Sequence, residues 1–210
     1  MVRLLQDPDL RNRSGVFKDR TDAGRRLAVF MQSNLDLKDP LICAIPAGGV
    51  PVGCELASAY QAGMFLGVVR KLKVPGNPEA GFGSVTWDGK VYLNRELVRL
   101  LGLSGEEISR AIADTEENIR KRLETFSGET PPPHLGGRTV IITDDGLASG
   151  YTMLAATEAI RSAKPEKIII AIPTGSAGGG RPVRQGRCPG LPELKRRVSL
   201  CRRRGLPILA

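Results

Sequence analysis

From Val140 to Thr152 the chain reads Val-Ile-Ile-Thr-Asp-Asp-Gly-Leu-Ala-Ser-Gly-Tyr-Thr. No other stretch constrains the fold as strongly. Val140, Ile141, Ile142 and Thr143 are β-prone and show no polar alternation, which suits a strand buried on both faces. The strand runs into two adjacent carboxylates, Asp144 and Asp145. A loop of small residues then opens a helix predicted over 150–163. A strand that hands over to a helix through a short Gly/Ser turn is half of a βαβ unit, and strands joined that way lie parallel.

The rest of the chain repeats the alternation. Residues 19–37 predict a helix, with Asp19 or Thr21 as N-cap and Leu27, Phe30 and Met31 among its apolar positions. Residues 41–46 predict a strand, 46–49 a turn and 50–60 a helix. Residues 64–70 read as a second buried strand, ending at Arg70 and Lys71. Residues 71–83 carry Pro75, Gly76, Pro78, Gly81 and Gly83, and predict a loop of unusual length. Asp88-Gly89, between the apolar runs 84–87 and 90–93, is a hairpin signal. Residues 104–126 predict a helix whose Ile108, Ile112, Ile119 and Leu123 form one packing stripe. Strands are predicted at 138–143 and 167–172. With 210 residues, the expectation is an α/β fold: a mostly parallel twisted sheet, helices on both faces, and a small hood or flap.

The chemistry follows from the Val140–Thr152 stretch. Backbone N–H groups at a glycine-preceded helix N-terminus cradle a phosphate. Gly146, Leu147, Ala148, Ser149, Gly150, Tyr151 and Thr152 supply that cradle, with hydroxyl donors from Ser149 and Thr152. Two carboxylates at the C-terminal end of a strand accept hydrogen bonds from a pair of sugar hydroxyls, at the end of an open α/β sheet where ligands bind. A phosphate at one end and a diol at the other describe a ribose 5-phosphate. An ordinary capped turn would leave the like-charged Asp144–Asp145 pair unexplained. The dinucleotide fingerprint and the Walker P-loop are both absent from the stretch.

This thirteen-residue pattern resembles the signature of the type I phosphoribosyltransferases. Asp19-Arg20, Ala23-Gly24-Arg25, the run from Ile45 to Gly53, Val69 to Leu72 and Pro75 to Glu79 extend the resemblance over residues 15–176, to a little-characterised branch. The resemblance implies a Mg²⁺-dependent transfer from 5-phosphoribosyl 1-pyrophosphate to a nucleobase-like or other small acceptor. It places pyrophosphate on the backbone amides of Ala47, Gly48 and Gly49, in a turn where a non-proline cis peptide is common. It gives Arg70 and Lys71 as cations toward the pyrophosphate. It makes 71–83 a closing flap carrying Lys73 and Glu79, and lets Asp144 and Asp145 meet the metal indirectly. Oxopurine-salvage members carry an Asp at the position of Ala148, so hypoxanthine or guanine salvage is not expected here. The acceptor hood would come from the N-terminal segment, residues 84–126 and Pro173 to Ser176. A homodimer and a place in nucleotide metabolism are family expectations. The alternative is a regulator that senses the same donor without catalysis.

Charge and composition set further bounds. The formal net charge is +9, but residues 178–210 hold nine basic side chains and one acidic one, against 22 and 21 in the remainder. The body, 1–177, is therefore nearly neutral and nucleic-acid binding by it is not expected. The tail, 178–210, is rich in Gly, Pro and Arg without periodicity; an out-of-frame, disordered segment is one expectation and an RNA-binding arm another. No run is long enough for a membrane span and no secretory leader is evident, so a cytoplasmic protein is expected. Cys43 and Cys54 read as buried free thiols, His134 as a surface-turn residue, and Trp87 and Tyr92 as hairpin packing rather than base-stacking rings.

Overall fold

The computed structural model describes residues 4–11, 13–127, 133–147, 151–176 and 197–203. Six strands form an all-parallel sheet: β1 (Leu4–Gln6), β2 (Leu41–Ala44), β3 (Met64–Leu66), β7 (Thr139–Thr143), β8 (Lys167–Ser176) and β9 (Arg197–Arg203), in the order β1-β9-β8-β7-β2-β3. A second sheet of β4 (Val69–Val74), β5 (Asn77–Thr86) and β6 (Val91–Leu93) is antiparallel. The helices are α1 (Arg20–Asn34), α2 (Gly49–Tyr60), α3 (Arg95–Leu100), α4 (Gly105–Ser127) and α5 (Tyr151–Ser162).

The sheet is covered on both faces, as continuous apolar strands require. On one face Leu27, Ala28 and Met31 of α1 and Val52 and Leu56 of α2 bury Ile42, Ile141 and Ile169. On the other, Met153, Ala156 and Ile160 of α5 pack with Val140, Ile142, Ile170 and Ile172. The second sheet joins this layer through Leu72, Phe82 and Val85, and α4 joins it through the stripe of Ile108, Ile112, Ile119 and Leu123. Asp19 is the N-cap of α1, its carboxylate accepting from the Asp22 N–H at 2.8 Å.

Three sequence expectations change. Residues 64–70 do not form one strand: β3 ends at Leu66 and β4 begins at Val69, in the other sheet. Gly67 marks the break, where an added Cβ would meet the Cys43 sulfur at 2.5 Å. Residues 71–83 are not a structureless loop. They are the arms of a hairpin, β4 and β5, with register shifts around Lys73. Pro173 to Ser176 is not a hood loop either but the end of β8, extended by pairing with β9. In the last two cases inter-strand hydrogen bonding overrides a Gly/Pro signal that is only local.

Residues 178–210 carry no predicted element, yet Arg197–Arg203 pairs in parallel with both β8 and β1. Residues 178–196 and 204–210 lie outside the described residues. Cys43 is buried, as expected, but Cys54 is exposed on α2. Among the described residues no helix is long and apolar enough to cross a membrane.

Candidate active site

The C-terminal ends of β2 and β7 are neighbours in the sheet, with Ala44 paired to Thr143. The turn after β2 and the acidic loop after β7 therefore leave the sheet side by side. They are in intimate contact. A Cβ added to Gly48 would lie 2.5 Å from the Asp145 carboxylate, and one added to Gly49 would lie 2.7 Å from the Thr143 carbonyl oxygen. The peptide bond between Pro46 and Ala47 is cis. Gly48, the N-cap of α2, has ordinary helical backbone, φ −62° and ψ −35°. What glycine supplies at 48 is space rather than torsion, since a Cβ there would displace the Asp145 carboxylate. The Gly49 N–H donates to the Ile45 carbonyl at 2.9 Å and the Val50 N–H to the Ala47 carbonyl at 3.2 Å, so the turn closes on itself, and Pro51 has no N–H to offer.

The acidic loop is braced from β8. Thr174 Oγ1 donates to the Asp145 carbonyl at 2.9 Å, and the Leu147 N–H donates to the Thr174 carbonyl at 3.0 Å. Gly146 fits beneath the same threonine, since a Cβ there would sit 2.9 Å from Thr174 Oγ1. Leu147 is buried.

The two carboxylates differ. Burial pushes the Asp144 carboxyl up to about 7, the adjacent negative charge of Asp145 adds to this, and the hydrogen bond from the Asp145 N–H opposes it. Asp145 is more open and accepts from Arg20 Nε at 2.8 Å, with side-chain exposures of 38% and 50%. Arg20 is the first residue of α1 and lies 125 positions away. It was not among the candidate residues read from the sequence. The Thr143 hydroxyl, just before the pair, is buried without a hydrogen-bond partner among the described residues.

The other candidates fall in two groups. Gly146 and Leu147 sit on the acidic loop, and Thr152 is exposed on the first turn of α5. Ala148, Ser149 and Gly150 lie outside the described residues, as does the side chain of Tyr151. Arg70, Lys71 and Lys73 lie on β4 rather than at the end of a core strand. Arg70 is half-buried, and this desolvation, with Arg122 of α4 nearby, disfavours its charge. The Lys71 stem lies over Gly81 of β5, where an added Cβ would be 3.3 Å from Lys71 Cβ. Glu79 lies on β5, its side chain outside the described residues. Trp87 is buried edge-on against Phe65, with centroids 5.8 Å apart. His134 is exposed.

A parallel sheet covered on both faces, with a glycine turn against an acidic loop at the C-terminal ends of neighbouring strands, defines an α/β protein whose candidate site lies at that end of the sheet. The family model for the phosphoribosyl transferase domain matches residues 17–188, and the chain belongs to that family. A crystal structure of TT1426 from Thermus thermophilus is similar over 91% of this chain and 87% of that one, with a TM-score of 0.72 and 28% identity. Two Mycobacterium tuberculosis proteins, from strains H37Rv and CDC 1551, bear the names "Putative phosphoribosyl transferase Rv0571c" and "Putative phosphoribosyl transferase MT0597". Each is 38% identical over 165 residues, which is 76% of this chain and 36% of theirs. The chain thus spans about a third of the length of these curated relatives.

Proposed function

We propose that the chain transfers a phosphoribosyl group from 5-phosphoribosyl 1-pyrophosphate to a nucleobase-like or other small acceptor, releasing pyrophosphate. The observation that carries this reading is the contact between Gly48 and the Asp145 carboxylate. It joins an anion-binding turn and a diol-binding pair at one point, at the spacing of adjacent strands. A ribose with pyrophosphate on carbon 1 presents that combination.

In this reading Gly146 to Thr152 hold the 5-phosphate and Asp144 and Asp145 accept hydrogen bonds from the ribose hydroxyls. Of the turn Ala47 to Gly49, the amides of Ala47 and Gly48 stabilise charge that develops on the leaving pyrophosphate, since the Gly49 N–H is taken by the Ile45 carbonyl. The bond from carbon 1 to the pyrophosphate oxygen breaks with its electron pair, and an acceptor lone pair forms the new bond. The β4–β5 hairpin, with Lys73 and Glu79, is the element that would exclude water.

Among the described residues no cluster of three or more His, Cys, Asp and Glu forms a protein cage for a metal. Two adjacent carboxylates beside a polyphosphate fit Mg²⁺, which keeps several waters and binds through few protein oxygens. Asp144 and Asp145 would hold it indirectly, through its bound water and the ribose hydroxyls. Bound there, it would offset charge on the leaving group.

Titration calorimetry of the donor with Mg²⁺ tests the reading. Saturable binding by the wild type, abolished in Asp144→Asn/Asp145→Asn with the fold intact by circular dichroism, is expected. Pyrophosphate release across an acceptor panel is then expected to identify the acceptor. No binding by folded wild type would overturn the assignment. Tight binding without pyrophosphate release would instead give a donor sensor.

A further inference from the structure

We infer that Arg20 is a donor-binding residue, contacting the pyrophosphate side of the ligand while Asp145 holds its guanidinium in place. The inference rests on the donor site proposed above. Its first support is position. Asp145 is touched from two sides: Gly48 of the anion-binding turn presses on the carboxylate, and Arg20 Nε donates to Oδ2. The guanidinium therefore stands beside the turn that would carry pyrophosphate.

The second support is electrostatic. Arg20 is the first residue of α1, where the helix dipole disfavours a cation. Other arginines of α1 are used within the scaffold: Arg25 pairs with Glu55 of α2, and Arg26 with Asp22 one turn back. Arg20 instead reaches a loop 125 residues away. The third is donor geometry. Nε makes the bond to Asp145, and among the described residues the terminal N–H groups of the fork carry no other hydrogen bond, so they suit phosphate oxygens. Arg70 and Lys71, which the sequence offers as the pyrophosphate cations, sit on β4 of the other sheet.

Binding of two ligands separates this role from a merely structural one. Ribose 5-phosphate keeps the diol and the 5-phosphate but lacks pyrophosphate. With Mg²⁺ present, Arg20→Ala is expected to weaken 5-phosphoribosyl 1-pyrophosphate about 10- to 100-fold, the range of a lost charge-assisted hydrogen bond. Its affinity for ribose 5-phosphate should match the wild type. Arg20→Lys should recover part of the loss, as a point charge without the fork. Equal weakening of both ligands would overturn the inference, because Arg20 would then only fasten Asp145 for the diol. Unchanged binding of both would overturn it as well. Should Arg20→Ala fail to fold, Arg20→Gln gives the same comparison. A wild type that binds neither ligand would instead reject the donor site itself, and this inference with it.

Discussion

Gly48 and Asp145, 97 positions apart in sequence, meet so closely that a single methyl group on the glycine would stand 2.5 Å from the aspartate carboxylate. Backbone torsion at Gly48 is ordinary for any residue, so Gly48→Ala tests the contact alone. The Asp145 side chain must turn away from its place beside the turn. Because the group displaced is the end of a partly exposed side chain, the cost falls on the site rather than on stability. Donor affinity should fall at least tenfold by calorimetry, with little change in the urea midpoint. Wild-type affinity in Gly48→Ala would show that the two loops do not form one site.

Thr174 ties the acidic loop to β8 through its hydroxyl. Thr174→Val keeps the shape and β-propensity but removes the donor to the Asp145 carbonyl. The backbone bond from the Leu147 N–H to the Thr174 carbonyl stays available. Loss of a single hydrogen bond predicts about 1 kcal/mol of destabilisation in urea unfolding, together with several-fold weaker donor binding. A stability loss with unchanged donor affinity would mean that the brace does not position Asp145.

Asp144 has a folded-state pKa raised to about 7 from an ordinary 3.8. A carboxyl raised in this way binds its proton more tightly in the folded chain than in the unfolded one. Its contribution to stability is therefore fully present at low pH and is lost as pH rises through the window from about 4 to about 7. Asp144→Asn removes that dependence. The difference in unfolding free energy between variant and wild type, measured without ligand, should move in favour of the variant across this window. A difference that stays flat from pH 4 to pH 8 would show that Asp144 is not desolvated.

Trp87 is the single tryptophan of the chain, 8% exposed, and packed edge-on against Phe65. Its emission should be blue-shifted and poorly quenched by acrylamide. Nucleobases added with saturating donor should leave it unchanged. Phe65→Ala should shift the emission to the red and destabilise by about 3–5 kcal/mol. Nucleobase-dependent quenching would place Trp87 at the acceptor instead.

The family relation and the legibility of the acidic pair have one cause. Val140 to Thr143 is a continuous apolar run, and whatever follows such a strand emerges at the ligand-binding end of a parallel sheet. Asp144, Asp145 and the opening of α5 were therefore readable from local pattern, as were the α4 stripe and the Asp88-Gly89 turn. The glycines of the turn after β2 were readable for the same reason. What the pattern could not carry was pairing. Residues 71–83 look like a loop by composition, yet antiparallel hydrogen bonds make them a hairpin. Pro173 to Ser176 looks like a loop and is a strand because β9 lies beside it. Arg20 looks like an ordinary first-turn arginine, and only the packing of α1 against α2 and β8 brings it to Asp145. Periodicity reports which face of an element is buried; it holds no record of which distant element buries it. The sequence determined the strand–loop–helix unit and its acidic pair because their physics is local. Tertiary structure decided the neighbours of that pair, because strand order and register are set by contacts between segments far apart in the chain.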